Sequence, residues 1–209
     1  MDPLMTKFHF IESFCEFEWS STTVTRIAAM YVEVSMPKQL RTLVVDKLIS
    51  HMSKMQLNEL PPLVYQIFLH SKQIERKHTI SGIVDFFNSL EDTYLNKNSK
   101  ISSTQNGPDV KSILQVEGTV LLHIHFCVQQ DHEWGTEILK YVKQGKNKRV
   151  ISKSSSAQNL STFLLAMILN VGSISLFKEN VFECLKSLLM LSTKDHVYNI
   201  SAIWGSGKS

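Results

Sequence analysis

Apolar residues recur every three or four positions along most of this chain, and this spacing constrains the fold more than any other feature. The period is that of an α-helix, in which residues three and four apart share a face. Only 8 glycines and 5 prolines interrupt the 209 residues, so long helices are expected. The predicted apolar stripes lie at 24–31, 40–52, 63–68, 80–90, 116–128, 134–142, 163–168 and 177–189. Antiparallel helix pairs that stack on one another bury such stripes, so we predict an all-α fold of the α-solenoid, helical-repeat scaffold class.

Two polar segments interrupt the helical pattern. Residues 95–112 lack aromatic side chains and contain Asn106, Gly107 and Pro108, which together favour a turn. Residues 144–158 form a second polar gap. We interpret the first gap as a boundary between two helical units.

The start of the chain and its cysteines bear on the compartment. Residues 1–20 contain Asp2, Glu12, Glu16 and Glu18, and they lack the basic start and apolar stretch of a signal peptide. The 3 cysteines are odd in number and far apart, as expected for reduced thiols. These features predict an intracellular protein.

A metal site is one chemical possibility. His123, His125 and Cys127 would share a face on a β-strand and could then hold zinc. Residues two apart on an α-helix point in nearly opposite directions, and the segment 116–128 has helical spacing. We therefore predict helical histidines and no metal site.

Two further segments suggest catalysis at first sight. The C-terminal residues 202–209 (AIWGSGKS) satisfy a relaxed phosphate-binding-loop pattern, but no helix follows Ser209 in this sequence to supply the helix N-terminus that such a loop needs. Ser154, Ser155 and Ser156 lack the glycine-framed turn of a serine nucleophile, and no base or acid partner is evident. We predict a protein that is not an enzyme, with no catalytic residue and no cofactor.

The charge pattern is more informative. No acidic residue occurs between Glu137 and Glu179, whereas basic residues are concentrated just after the first of these positions. Flexible basic side chains that contact phosphates bind nucleic acid without sequence preference. The predicted DNA-binding residues are Lys143, Lys146, Lys148, Arg149 and Lys153. A solvated loop and a nuclear-import signal are the alternatives.

Five segments, in this order and spacing, resemble the Fanconi anaemia group I protein family. The most specific are residues 53–66 (SKMQLNELPPLVYQ) and 116–124 (VEGTVLLHI). The others are residues 82–87 (GIVDFF), 137–140 (EILK) and 181–186 (VFECLK). The resemblance covers roughly residues 19–198.

The resemblance implies a non-enzymatic scaffold that works in the nucleus in DNA interstrand cross-link repair. Members of the family pair with a paralogue, the Fanconi anaemia group D-two protein, and the pair clamps duplex or branched DNA. No lysine of this chain is assigned as the ubiquitin acceptor, because the region that carries it in the family lies beyond Ser209. The alternative is a structural or protein-interaction helical fragment without DNA contact.

Together with the polar gaps, the resemblance gives the predicted domain organisation. Residues 1–18 form an unassigned N-terminal segment, 19–96 a helical domain, 97–112 a linker, 113–198 the start of an α-solenoid and 199–209 a flexible tail. Because family members are several times longer, this sequence is expected to be a fragment, a truncated isoform or an incomplete gene product.

Overall fold

The computed structural model describes residues 38–98, 110–145 and 162–191, together with the single positions 9, 13 and 20. Within these ranges the chain forms α-helices and short 3-10 turns, and no strand occurs among them. The helices are α1 (Lys38–Met52), α2 (Leu60–His70), α3 (Gln73–Asn98), α4 (Val110–Gln130), α5 (Glu133–Gly145), α6 (Thr162–Gly172) and α7 (Lys178–Leu191). The 3-10 turns are Leu57–Glu59 and Ser175–Phe177. The predicted all-α fold is therefore confirmed.

The helices belong to two compact units that divide after Gln130, so α1 to α4 form the first and α5 to α7 the second. Among the described helices, none alone has the length and hydropathy needed to cross a bilayer. In the described part of the chain, one pair meets that test together, namely α6 and the segment Ser175–Ser187, which holds the second 3-10 turn and most of α7; the chain bends by 108° between them.

Helices α1 and α3 of the first unit pack side by side and run in the same direction. Asp46 of α1 hydrogen-bonds His78 of α3. Ile49, three residues further along α1, lies against Gly82, which is four residues further along α3. A Cβ atom on Gly82 would lie 2.5 Å from Cδ1 of Ile49, so the missing side chain permits this close approach. Helix α2 likewise packs mainly on α4. Within the first unit, α1 thus stacks on α3 and α2 on α4, the layered arrangement of an α-solenoid.

The predicted stripes form the cores of the two units. Most of their residues are buried, whereas Leu43, Leu90 and Leu121 are half-buried. Helical spacing also puts Phe182 on the predicted apolar stripe at 177–189, but its side chain is 57% exposed, so this assignment was wrong. The buried stripe residues include Leu40, Val44, Leu48, Met52, Leu63, Val64, Ile67, Phe68, Ile80, Ile83, Val84, Phe87, Val120, Ile124, Val128, Trp134, Ile138, Leu139, Val142, Phe163, Leu164, Met167, Ile168, Phe177, Val181 and Leu185. The stripe at 24–31 and the side chains of Leu188 and Leu189 lie outside the described residues.

Two helix boundaries can be compared with the sequence, the start of α2 and the end of α3. Pro61 and Pro62 occupy the first turn of α2, where a missing backbone N–H breaks no helical hydrogen bond. Helix α3 continues to Asn98, past the predicted break at 95. The polar residues there are compatible with a helix, since glycine and proline appear only from Gly107 onward.

A buried ion pair joins three elements of the first unit. Arg41 on α1 contacts Glu75 on α3, with 2.5 Å between Nε and Oε1, and both side chains are at least 96% buried. The Nη2 group of Arg41 donates to the carbonyl of His70 at the end of α2, at 3.1 Å. The other carboxylate oxygen of Glu75 accepts a hydrogen bond from the Lys72 backbone N–H at 2.9 Å. The pair therefore fixes α1, the end of α2 and the start of α3 together.

In the second unit, small residues allow close packing around the turn between α6 and α7. A Cβ atom on Gly135 of α5 would lie 2.6 Å from the ring of Phe177, and one on Gly172 would lie 2.9 Å from Val181. The rings of Phe177 and His132 are also nearly perpendicular, with 6.0 Å between their centroids. Phe177 therefore fixes the start of α5 against the turn.

We expect Phe87→Ala to lower the free energy of unfolding by about 3–5 kcal/mol, because a fully buried ring leaves a cavity in the core. Chemical denaturation measured by far-UV circular dichroism tests this value. The control is Phe126→Ala in the same unit, whose ring is 45% exposed and whose removal should cost much less. Equal losses for the two variants would contradict the burial of Phe87.

We expect Arg41→Met to destabilise the protein by about 3–5 kcal/mol, because it leaves the Glu75 carboxylate buried without its cation. Adding Glu75→Leu to this variant should recover much of the loss, since no uncompensated charge then remains. Denaturation midpoints of the two single variants and the double variant measure the coupling. The comparison is Lys140→Ala, which breaks an exposed pair and should cost about 0–1 kcal/mol.

Candidate nucleic-acid interface

Helix α5 leads directly into the predicted DNA-binding segment. Its first turn carries Glu133 and its last turn carries Lys143, so the charges complement the helix dipole at both ends. The Nζ atom of Lys140 lies 3.1 Å from Oε1 of Glu137, one turn earlier. The outer surface of α5 thus changes from acidic to basic along its length.

Of the five predicted DNA-binding residues, the structure describes Lys143 alone. Its side chain is exposed, and it is separated from the acidic residues at the start of the helix. Lys146, Lys148, Arg149 and Lys153 lie outside the described residues. The prediction for these four positions therefore stays a prediction.

Lys178, at the C-terminal end of the stretch without acidic residues between Glu137 and Glu179, is also exposed. Lys178 begins α7 and is followed at once by Glu179, so the local charge there is balanced. Of the two described ends of this stretch, the end of α5 is therefore the more basic.

The residues of the possible metal site lie on helix α4, so the helical interpretation of this segment is confirmed. The Nδ1 atom of His123 lies 3.1 Å from the carbonyl oxygen of Pro61, which only accepts hydrogen bonds, so Nδ1 carries the proton. The His123 ring also packs on Tyr65, with 5.0 Å between centroids. These contacts join α4 to α2.

The other two residues of that set have separate surroundings. His125 faces the neighbouring Phe126 ring, and Cys127 is buried in the first unit. Burial raises the pKa of the Cys127 thiol to about 11, so it is protonated at neutral pH and is a poor metal ligand or nucleophile. Within the described part of the chain, no three His, Cys, Asp or Glu side chains come together as a metal-binding group.

The remaining candidates for catalysis cannot be placed. Ser154, Ser155 and Ser156 and the C-terminal segment 202–209 all lie outside the described residues.

The first unit also contains a cavity of about 1080 Å³ that the sequence did not predict. It lies where α1 ends, and its walls come from the connection to α2, the start of α2, the middle of α3 and the first half of α4. No single stretch of sequence carries these residues, so a periodic pattern gives no signal for the cavity.

Comparison with known families adds an independent assignment. The family model described as FANCI solenoid 1 matches residues 5–129, and the one described as FANCI helical domain 1 matches residues 133–204. The two matches meet where the structure divides into its two units, after Gln130.

This division differs from the one predicted from sequence, in both place and order. The prediction put a linker at 97–112, with a helical domain before it and a solenoid after it, whereas the family models give a solenoid followed by a helical domain. The physical reason is that α4, which follows the polar segment, packs on α2 and completes the first unit. A polar gap between two helices is therefore not a domain boundary here.

Curated relatives agree with the family models. The chain is 32% identical over 187 residues to the Fanconi anemia group I protein homolog of Mus musculus, and 28% identical over 192 residues to the Fanconi anemia group I protein of Gallus gallus. Each comparison covers 88% of this chain but 14% of the relative. Two consecutive domain models and these identities place the chain in the Fanconi anaemia group I protein family, to which it belongs.

Proposed function

We propose that this chain is a non-enzymatic scaffold segment of a nuclear protein that repairs DNA interstrand cross-links. The observation that carries the proposal is the match to two consecutive domains of the Fanconi anaemia group I family, in one order and over most of the chain. In this role the segment contacts DNA and takes part in pairing with the group D-two paralogue.

The DNA contact is assigned to the end of α5 and the basic residues that follow it. The Lys143 side chain is exposed, and the nearest acidic residue in the sequence, Glu137, is already engaged by Lys140. Lysine and arginine side chains in this segment can reach phosphates and release their counterions, which makes the binding sensitive to salt. The rigid helix fixes the start of the segment, while the residues beyond it supply most of the charge.

The chemistry of the described residues supports a scaffold rather than an enzyme. The Cys127 thiol is buried and protonated, and Nδ1 of His123 is engaged with a backbone carbonyl. Both of these potentially reactive groups thus contribute to helix packing. The exposed positive charge is instead suited to binding an extended anion.

The pairing surface is assigned to the outer face of α4. Leu114, Leu122 and Phe126 are 59%, 51% and 45% exposed on this helix. Gly118 lies between them, and a Cβ atom added there would meet no atom within 4 Å. Among the exposed residues of α4, Lys111 alone carries a formal charge. An exposed apolar face with so little charge is typical of a protein-protein contact.

We expect the 209-residue chain to bind fluorescently labelled duplex and branched DNA at low salt, with an affinity that falls steeply as salt rises. Replacing Lys143, Lys146, Lys148 and Arg149 by glutamine should weaken the binding. Each lost phosphate contact should also reduce the slope of log Kd against log salt concentration by about 0.9. Fluorescence anisotropy at several salt concentrations measures both quantities.

The matched control replaces four exposed lysines of the first unit, Lys54, Lys72, Lys77 and Lys111, by glutamine. This control removes the same amount of positive charge as the substitutions at 143–149. It should keep most of the affinity for DNA and most of the slope of log Kd against log salt concentration. Equal weakening in both variants would show that net charge, and not the 143–149 segment, governs binding. No binding by the wild-type chain at low salt would leave a structural fragment without DNA contact.

We expect the purified group D-two paralogue to bind the immobilised chain, and the variant Leu122→Glu with Phe126→Glu to weaken this binding. Two carboxylates on an apolar contact must lose their hydration without gaining partners. Biolayer interferometry with the purified paralogue measures the change. The control carries the same added charge at two exposed polar positions, Gln73→Glu and Thr136→Glu. Unchanged binding by the α4 variant would exclude this face as the pairing surface.

A further inference from the structure

The cavity in the first unit differs chemically from the basic segment. Its lining residues include Met52, Met55 and Phe86 on one side and Gln115, Thr119 and His123 of α4 on the other. None of the lining residues is an aspartate, glutamate, lysine or arginine. Its volume of about 1080 Å³ is near the upper end of the range typical of ligand pockets.

The absence of formal charge from the lining selects the kind of occupant. The cavity is open to solvent, since lining residues such as Gln56, Asn58 and Gln115 are exposed. A phosphate or carboxylate bound there would meet no cation among the lining residues, and a basic side chain would meet no carboxylate. The walls are therefore complementary to an uncharged group. Nucleic acid and free nucleotides do not fit this chemistry.

The polar groups of the lining match the hydrogen-bonding needs of a peptide backbone. Side-chain amides of Gln56, Asn58 and Gln115 offer both donors and acceptors, as a chain of N–H and C=O groups requires. In neutral His123 the proton is on Nδ1, which faces the Pro61 carbonyl, so Nε2 is an acceptor. The Thr119 hydroxyl donates to the carbonyl of Gln115 and keeps its lone pairs for a further donor.

The apolar part of the lining suits a large side chain. Met52 and Met55 have unbranched, polarizable side chains that adapt to different shapes, as on surfaces that bind several peptides. Phe86, together with the prolines at the start of α2, supplies a rigid apolar wall.

We propose that this cavity binds a short uncharged peptide segment of a partner protein, which inserts at least one large apolar side chain between α1 and α4. The backbone of the segment hydrogen-bonds to the neutral amide and hydroxyl groups of the lining. The proposal does not rest on DNA binding. The cavity residues are not those of the basic segment, and the expected occupant is uncharged rather than anionic.

The probe is a panel of capped hexapeptides made of glycine, serine and glutamine with one or two leucine, phenylalanine or methionine residues. The chain is labelled with 13C at its 8 methionine methyl groups, and the signals of Met52 and Met55 are assigned from Met→Leu variants. We expect at least one peptide to shift these two signals saturably. The same peptide with glutamate in place of its apolar residues should not shift them.

Two variants fill the cavity from different helices, Thr119→Phe on α4 and Ser89→Phe on α3. Each should weaken peptide binding about tenfold or more, since the added ring occupies the space of the inserted side chain. Ser89 is exposed, so its substitution leaves the core intact even if Thr119→Phe impairs folding. The control is Gln129→Phe, on α4 but outside the cavity.

Three outcomes would overturn the proposal. They are the absence of a saturable shift with any peptide, equal shifts with the glutamate peptides, and unchanged affinity in the folded cavity-filling variants. DNA binding by the same samples is measured in parallel, and its loss or retention does not affect the conclusion about the cavity.

Discussion

The ion pair between Arg41 and Glu75 is the contact on which the arrangement of the first unit depends. Its partners are 34 positions apart and buried, so both charges lose hydration and are compensated only when α1 and α3 meet in one register. The same register brings Asp46 to His78 and Ile49 to Gly82. If α1 shifted by one turn along α3, Arg41 and Glu75 would separate. Ile49 would then lie against a residue with a side chain instead of Gly82, the single glycine of α3. The pair is thus better understood as fixing register than as adding net stability.

The cavity is a consequence of that register together with the lengths of the helices. Helix α1 has 15 residues and ends at Met52, opposite Phe86, whereas α3 has 26 and continues to Asn98. The remainder of α3 extends for roughly 18 Å without a counterpart from α1. The chain turns away at this point through the 3-10 turn Leu57–Glu59, and α2 begins at Leu60. The space left between the turn, α3 and α4 is therefore built into the fold and does not depend on one side chain.

Periodicity predicted the helices and most of the core, because each buried stripe is a property of one helix and its residues are close in sequence. It placed Phe182 in the core because the spacing fits, although this side chain lies on the outer face of α7. It could not find the Arg41–Glu75 pair or the cavity, since both depend on which helices become neighbours. The predicted domain division differs from the two units for a similar reason. Residues 97–112 are polar, but the packing of α4 on α2 decides that the segments on both sides of them belong to one unit.

The two proposed binding regions differ in how their binding depends on salt, so DNA binding and peptide binding can be distinguished in one protein. Binding to phosphates through lysine and arginine is driven by counterion release and weakens as salt rises. Insertion of an apolar side chain into an uncharged cavity releases no counterions, and salt that screens charges leaves it largely unchanged. A scaffold that used both could therefore hold a partner's peptide under conditions in which its contact with DNA is lost. The segment would then connect partner and DNA through two independent interactions, and each could be weakened by substitution without loss of the other.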